Sequence, residues 1–248
     1  MKKSLLMAVL FLGTMLTASA QEKKVAFGVR AGLNLSNVNS KYTGALGEGE
    51  SASEYEQDMN NRAGFHLGVV MDWNVARNFY IQPGLYFTTH GAKLEDGETY
   101  NGESYSYTEK WNANYLQIPI LASYRIPLGE KVKLGIDVGP YLAVGLGGKV
   151  KWEDSYTDNG GTDTEKGDYK IFGTGSEGDP DTGEGYEERG GLKRFDAGLR
   201  FGLGVHISKF YVGVNYDLGL ANLALSDNWG KDMKLRNRNL GISVGFTF

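Results

Sequence analysis

Apolar and polar residues alternate with a period of two along eight stretches of the chain. Val25, Phe27, Val29, Ala31, Leu33 and Leu35 interleave with Ala26, Gly28, Arg30, Gly32, Asn34 and Ser36. Ala63, Phe65, Leu67, Val69, Met71 and Trp73 interleave with Gly64, His66, Gly68 and Asp72. A period of two belongs to β-strands whose two faces meet different surroundings. The same alternation predicts strands over Phe79–Phe87, Leu116–Tyr124, Val132–Val144, Phe195–Ile207 and Phe210–Leu220. In the last strand Leu240, Ile242, Val244, Phe246 and Phe248 alternate with Asn239, Gly241, Ser243, Gly245 and Thr247. No long unbroken apolar run follows the first twenty residues, so no spanning helix is predicted there.

One face of these strands is apolar throughout. The other carries glycine repeatedly, at Gly28, Gly32, Gly64, Gly68, Gly135, Gly139, Gly198, Gly202, Gly204, Gly213, Gly241 and Gly245, mixed with charges. A soluble sandwich or a lipocalin-like binder would put large residues inside and polar ones outside. Small and charged residues opposite a continuous apolar band fit the reverse, a barrel with a lipid-facing exterior and a narrow polar interior. Closure also satisfies every backbone N–H and C=O, which an open sheet in hydrocarbon leaves bare. The expected fold is all-β: an eight-stranded antiparallel transmembrane β-barrel.

Connection lengths agree with this. Short turns fall at Asn74–Asn78, Pro127–Lys131 and Ser208–Lys209, and long polar segments at about 37–62, 91–113, 148–194 and 221–238. Short periplasmic turns and long extracellular loops are the pattern of bacterial outer-membrane barrels, and an even strand count puts both termini in the periplasm. Aromatic residues near strand ends suit the two water–lipid boundaries: Trp73, Phe79, Tyr80, Tyr124, Phe210 and Phe248 below, Phe65, Phe87, Trp111 and Tyr115 above. Pro83, Pro119 and Pro140 each remove a ladder donor in a sheet without edges, so bulges are expected at them. A further bulge is expected near Tyr115 and Leu116, because Tyr105, Tyr107 and Trp111 follow the opposite register from the lipid-facing set.

The N-terminus reads as a secretory signal peptide over residues 1–20. Lys2 and Lys3 precede an apolar run from Leu5 to Leu16, and Ala18-Ser19-Ala20 supplies small residues for cleavage. Cleavage after Ala20 would make Gln21 the first residue of a single barrel domain, 21–248. The alternative, an uncleaved anchor, has too short an apolar run to span. The formal charge of −4 argues against a nucleic-acid partner, and the absence of cysteine excludes disulfides, thiolate metal sites and a lipidated cysteine.

Several segments together resemble the PorT-like outer-membrane β-barrel proteins of Bacteroidetes. They are Gly28-Val-Arg-Ala-Gly-Leu-Asn-Leu-Ser36, Ile81-Gln-Pro-Gly-Leu-Tyr86, Tyr115-Leu-Gln-Ile-Pro-Ile120, Gly139-Pro-Tyr141, Asp196-Ala-Gly198, Tyr216-Asp-Leu-Gly-Leu220 and the terminal Leu240–Phe248 strand. Where that family usually has a glutamate after the third-strand proline, this chain has Gly84. The resemblance implies an outer-membrane address, lipid contact and recognition by the barrel-assembly machinery. Val244, Phe246 and Phe248 look like the C-terminal signal that machinery reads. The family's founding member is implicated in assembling a gliding-associated (type IX) secretion system, which makes an accessory role there one expectation.

Candidate chemistry lies on the glycine-rich face. Arg30, Asp72, Lys133, Asp137, Asp196, Arg200 and Asp217 all point inward, and ion pairs among Arg30, Asp137, Asp196, Arg200 and Asp217 would fill a lumen this narrow. If Ser208-Lys209 is a two-residue turn, Arg200 falls directly opposite Asp217, where a bidentate pair would satisfy both. The other reading of these charges is a gate or small pore. His66, His90 and His206 are also predicted inward, and no lipid-facing position carries Ser, His or Asp, so no catalytic residue is expected. No cofactor or metal is expected either. The acidic third loop (Asp154, Asp158, Asp163, Asp168, Asp179-Pro-Asp181-Thr-Gly-Glu184, Glu187-Glu188) has carboxylates that could hold Ca²⁺ but misplaces the EF-hand glycine, and reads as a solvated, mobile loop. Tyr100, Tyr105, Tyr107 and Trp111 in the second loop suit a protein or sugar partner, or an extension of the hairpin.

Overall fold

The structure, a computed structural model, describes residues 24–44, 55–174 and 189–248. Signal-peptide residues Ala20 and Gln21, and the acidic stretch from Asp179 to Glu188, lie outside the described residues. The strands, in chain order, are β1 (Val25–Tyr42), β2 (Tyr55–Asp58), β3 (Arg62–Ala76), β4 (Phe79–His90), β5 (Lys93–Tyr100) and β6 (Glu103–Pro127). There follow β7 (Val132–Asp158), β8 (Gly161–Phe172), β9 (Arg189–Leu192), β10 (Phe195–Ile207), β11 (Phe210–Gly219) and β12 (Met233–Thr247). A single turn of helix, α1 (Ser226–Trp229), precedes β12.

Eight of these strands close a ring. β1 pairs β3, then β4, β6, β7, β10, β11 and β12 follow in antiparallel order, and β12 returns to β1 from Gly28↔Thr247 to Tyr42↔Met233. The outward row is apolar and open, with Leu33 71% exposed and Ile242 58% exposed. The inward row holds the buried Arg30, Asn34, Asp72, Gln117, Asp137, Asp196, Arg200 and Asp217. Surface of that kind is stable only against hydrocarbon. Several of the inward glycines are seats for inward tyrosines. A methyl group added to Gly204 or Gly213 would come within 2.3 and 2.2 Å of Tyr211, and one on Gly68 within 2.5 Å of the Tyr86 ring.

Three expectations need correction. No bulge forms at Pro83, Pro119 or Pro140. The register runs straight past each, from Pro83↔Ile120 to Tyr86↔Gln117 and from Pro119↔Tyr141 to Ala122↔Val138, with local gaps in the ladders beside them. A strand N–H points to one neighbour only, so each proline costs a single bond and no extra residue is needed. The shift near Tyr115 does exist but lies on the facing strand, where Leu146 is the extra residue between Gly145 and Gly147. β6 keeps its parity, so Trp111 and Tyr115 point inward and are buried rather than joining an upper aromatic belt, and Tyr80 likewise turns inward beneath Arg125.

The third correction concerns the long segments. β6 and β7 run for 25 and 27 residues, whereas about 9–11 tilted residues cross the hydrocarbon. Their outer halves pair with β5 and β8 in a four-stranded sheet that stands beyond the barrel. The described part of the third loop is therefore a hairpin. Its turn is set by Asp158, whose Oδ1 accepts from the backbone N–H of Gly160 and Gly161 at 2.7 and 3.1 Å. The second-loop hairpin turns at Asn101-Gly102, with φ of 50° and 89°, the left-handed pair that a tight two-residue turn requires.

Candidate functional site

The site is the lumen and what lies over it. At the short-turn end a cavity of about 360 Å³ is lined by Asp72, Tyr80, Arg125, Lys131, Lys133 and His206, among others. Here Arg125 Nη2 donates to Asp72 Oδ1 at 2.6 Å, and Gln82 Nε2 donates to the same oxygen at 2.5 Å. The Arg125 guanidinium sits 4.0 Å over the Tyr80 ring. Arg125 was not among the inward charges expected, although β6 parity, with Leu116 outward, places it there.

Deeper in, Arg30 makes no ion pair among the described residues and lies 3.7 Å over the ring of Tyr211. Beside it three strands are tied through one imidazole. Asn34 Nδ2 donates to Thr88 Oγ1 at 2.9 Å, so its Oδ1 is left to accept from His66 Nδ1 at 2.7 Å. His66 Nε2 then accepts from the Ser243 hydroxyl at 2.8 Å.

Above that level the register places Arg200 directly opposite Asp217, the pairing that counting from a two-residue Ser208-Lys209 turn gives. Both arms of the guanidinium engage: Nε to Oδ1 at 2.5 Å and Nη2 to Oδ2 at 2.7 Å. Gln117 reaches in from β6, two strands round the ring from β10, donating to Asp217 Oδ2 and accepting from Arg200 Nη2, each at 3.2 Å. Asn239 adds a fourth contact to the carboxylate at 3.3 Å. Buried bidentate pairs are strong when their remaining lone pairs are also satisfied, and this one meets that condition. Of the other expected ion-pair residues, Asp196 accepts instead from Asn237 Nδ2 at 2.8 Å and from the Tyr141 hydroxyl at 3.3 Å. Asp137 is buried without a cation within ion-pair distance among the described residues. These neutral partners come from strands far apart in the chain, so alternation alone could not reveal them.

An apolar cap closes the long-loop end. Val38, Trp111, Tyr115, Val150, Ile171, Phe172, Leu192, Leu223 and Leu235 form one buried cluster. Tyr115 meets Phe172 edge-on with ring centroids 5.6 Å apart, and Trp111 lies 5.8 Å from Trp229 of α1. A backbone bond stitches the last two loops across the mouth, Lys193 N–H to Leu223 O at 2.7 Å, and Leu223 N–H to Leu235 O at 2.8 Å closes the fourth loop on itself. The parity of Tyr105, Tyr107 and Trp111 was the available signal for this cap.

The three histidines are buried. Asn34, His66 and Ser243 stand in the order of orienting group, base and nucleophile. All three are buried on the inward face, and their hydrogen bonds tie three strands together. Among the described residues no three His, Asp or Glu side chains converge as metal ligands.

No curated protein matches the chain. Solved structures similar to it include Ail, the attachment invasion locus protein of Yersinia pestis, at 14% identity, covering 89% of this chain and 98% of that one with a TM-score of 0.31. The toluene transporter TodX of P. putida shares 9% identity, with 92% and 91% covered and a TM-score of 0.30. The outer membrane protease OmpT of Escherichia coli shares 10%, with 94% and 99% covered and a TM-score of 0.26. The family model described as "Outer membrane protein beta-barrel domain" matches residues 19–225. With a closed ring of eight strands, an apolar exterior and a family match over most of its length, this chain belongs to the outer membrane protein beta-barrel domain family and is an outer-membrane β-barrel protein.

Proposed function

We propose that this barrel is a structural and interaction protein, neither a pore nor an enzyme, that meets partners through its extracellular sheet and cap. The observation that carries the reading is the filled lumen. Gln117 of β6 meets Arg200 of β10 and Asp217 of β11 inside the ring, His66 meets Ser243, and the apolar cluster lies over both. Eight strands leave an interior only wide enough for side chains. In planar bilayers the purified protein is expected to give no conductance steps. Steady single-channel current would return the small-pore reading. A serine-reactive phosphonate is likewise expected to leave Ser243 unmodified.

The outer sheet supports the interaction half of the reading. Beyond Lys93, β5 pairs on one side only among the described residues, and Tyr100, Tyr105 and Tyr156 stand exposed beside it. A partner strand could add to that edge. Assembly by the barrel-inserting machinery fits the closing strand, where Val244 and Phe248 turn outward and Phe246 stacks between Phe210 and Phe248 at 5.5 and 5.6 Å. The resemblance to PorT-like barrels favours a second reading, an accessory component of a gliding-associated secretion system. Deletion that left export of that system's cargo intact would remove it.

A further inference from the structure

The projecting sheet carries its cations on one face, together with Glu95, Glu153 and Asp168, and that outward face ends just above the membrane. Cross-strand register fixes the rows. On the outward face Lys93, Lys110 and Lys151 lie side by side on three adjacent strands, followed by Asp168 on the fourth. The next row toward the membrane holds Asn112, Lys149 and Lys170. The opposite face carries Asp96, Tyr107, Asp154 and Glu165 in one row and Glu98, Tyr105, Tyr156 and Asp163 in the next, with no cation in either.

Like charges directly opposite one another destabilise a sheet. The row of three lysines is only partly offset. Lys93 pairs with Glu95, and Lys149 reaches Asp168 at 2.7 Å. Lys110 and Lys151 sit in no ion pair among the described residues. With Asp168 across from Lys151, and Glu95 and Glu153 in the row above, the five lysines of the two lower rows still outnumber three carboxylates, and an anion from outside the chain would offset the excess.

Height identifies the anion. The outward row of β6 descends from Lys110 through Asn112 and Asn114 to Leu116 and Ile118, the last two exposed on the lipid-facing band. At about 3.4 Å per residue and a tilt of roughly 40°, the two cationic rows stand roughly 10 and 15 Å above that band. This lies above the roughly 5–7 Å headgroup layer of a simple phospholipid and at the level that the larger saccharide headgroup of a glycolipid reaches. A second stripe repeats the pattern on β12, where Arg238, Arg236 and Lys234 continue outward above the exposed Leu240. We propose that the outward base of the extracellular sheet, centred on Lys93, Lys110 and Lys151, binds the phosphorylated saccharide headgroups of outer-leaflet glycolipid. The proposal goes beyond the reading above, which concerns the sheet edge and its tyrosine face.

The test is native mass spectrometry of the full-length barrel released from detergent, with diphosphorylated lipid A or its dephosphorylated form added. Wild type is expected to keep the phosphorylated lipid and not the dephosphorylated one. The Lys110→Glu/Lys151→Glu variant should keep it at least about tenfold less well, since each cation near a charged surface contributes on the order of a factor of five. Lys231→Glu, on the fourth extracellular loop, should match wild type. Millimolar inorganic phosphate should leave the lipid bound; displacement by it would make the site one for free phosphate and overturn the assignment. Heat-modifiable migration on a gel checks that each variant is folded. Should charge reversal prevent folding, Lys110→Gln/Lys151→Gln takes its place and should fall between the two. Equal retention of both lipids, or an unchanged affinity in a folded double variant, would overturn the proposal.

Discussion

The lumen and the cap are both interiors of one molecule, yet they are built from opposite chemistry. Inside the membrane span the buried groups are Arg200, Asp217, Gln117, His66 and Asn34, and the large apolar residues face out. A few residues further along the same strands, Trp111, Tyr115, Val150 and Phe172 are buried, while lysines and carboxylates face out. What differs is the solvent. Water rewards apolar burial in the cap, whereas hydrocarbon offers no such gain and excludes every unpaired polar group from the wall. Polarity of an interior is therefore set by what surrounds it, and β6 and β7 cross from one regime to the other.

The largest expected effect lies in the lumen. Asp217→Leu leaves Arg200 buried without its counter-charge and should cost about 3–5 kcal/mol, whereas Arg200→Met with Asp217→Leu should recover most of that loss. Urea midpoints of the bilayer-inserted protein measure both, and an unchanged midpoint for the single variant would refute the pair's role. In the cap, Phe172→Ala should cost about 3 kcal/mol, confined to the outer segments. Protease cutting of the loops should rise while the barrel's midpoint holds. A midpoint that fell as far as for Asp217→Leu would make cap and lumen one cooperative unit.

The smallest effect belongs to the exposed rim. A hydrogen bond from the Lys149 ammonium holds the Asp168 carboxyl below the ordinary carboxylate range. A depressed value means the pair's contribution is present above the unfolded carboxyl's pKa and lost as pH falls through the lower, folded one. Carbon-13 NMR should show the Asp168 midpoint rising in Lys149→Gln. A midpoint indifferent to that change would show the pair to be idle.

Much of the barrel was legible because lipid and lumen impose strict alternation on short strands. Counting from Ser208-Lys209 was enough to bring Arg200 opposite Asp217. The Asp72–Arg125 pair required only that the parity of Leu116 be carried on to Arg125. The outer hairpins were hidden by composition: acidic, glycine-rich stretches read as solvated loop, although Asn101-Gly102 and Asp158-Asn-Gly160 are turn signals between alternating segments. Trp111 and Tyr115 read as belt residues because aromatics near strand ends suit an interface, and their opposite parity was the better guide. The Asp196 contacts with Tyr141 and Asn237 depend on three strands converging, which no local pattern encodes.

The extra residue at Leu146 acts as a phase shift in β7. Below it the odd-numbered positions of that strand look to the axis, and above it the even-numbered ones do, which is how Val150 comes to be buried and Lys149 and Lys151 to face outward. Length and orientation are thus interchangeable at this point. Were Leu146 taken into the ladder rather than left as the extra residue, everything distal would be rotated by half a turn, sending lysines over the mouth and valine to the water.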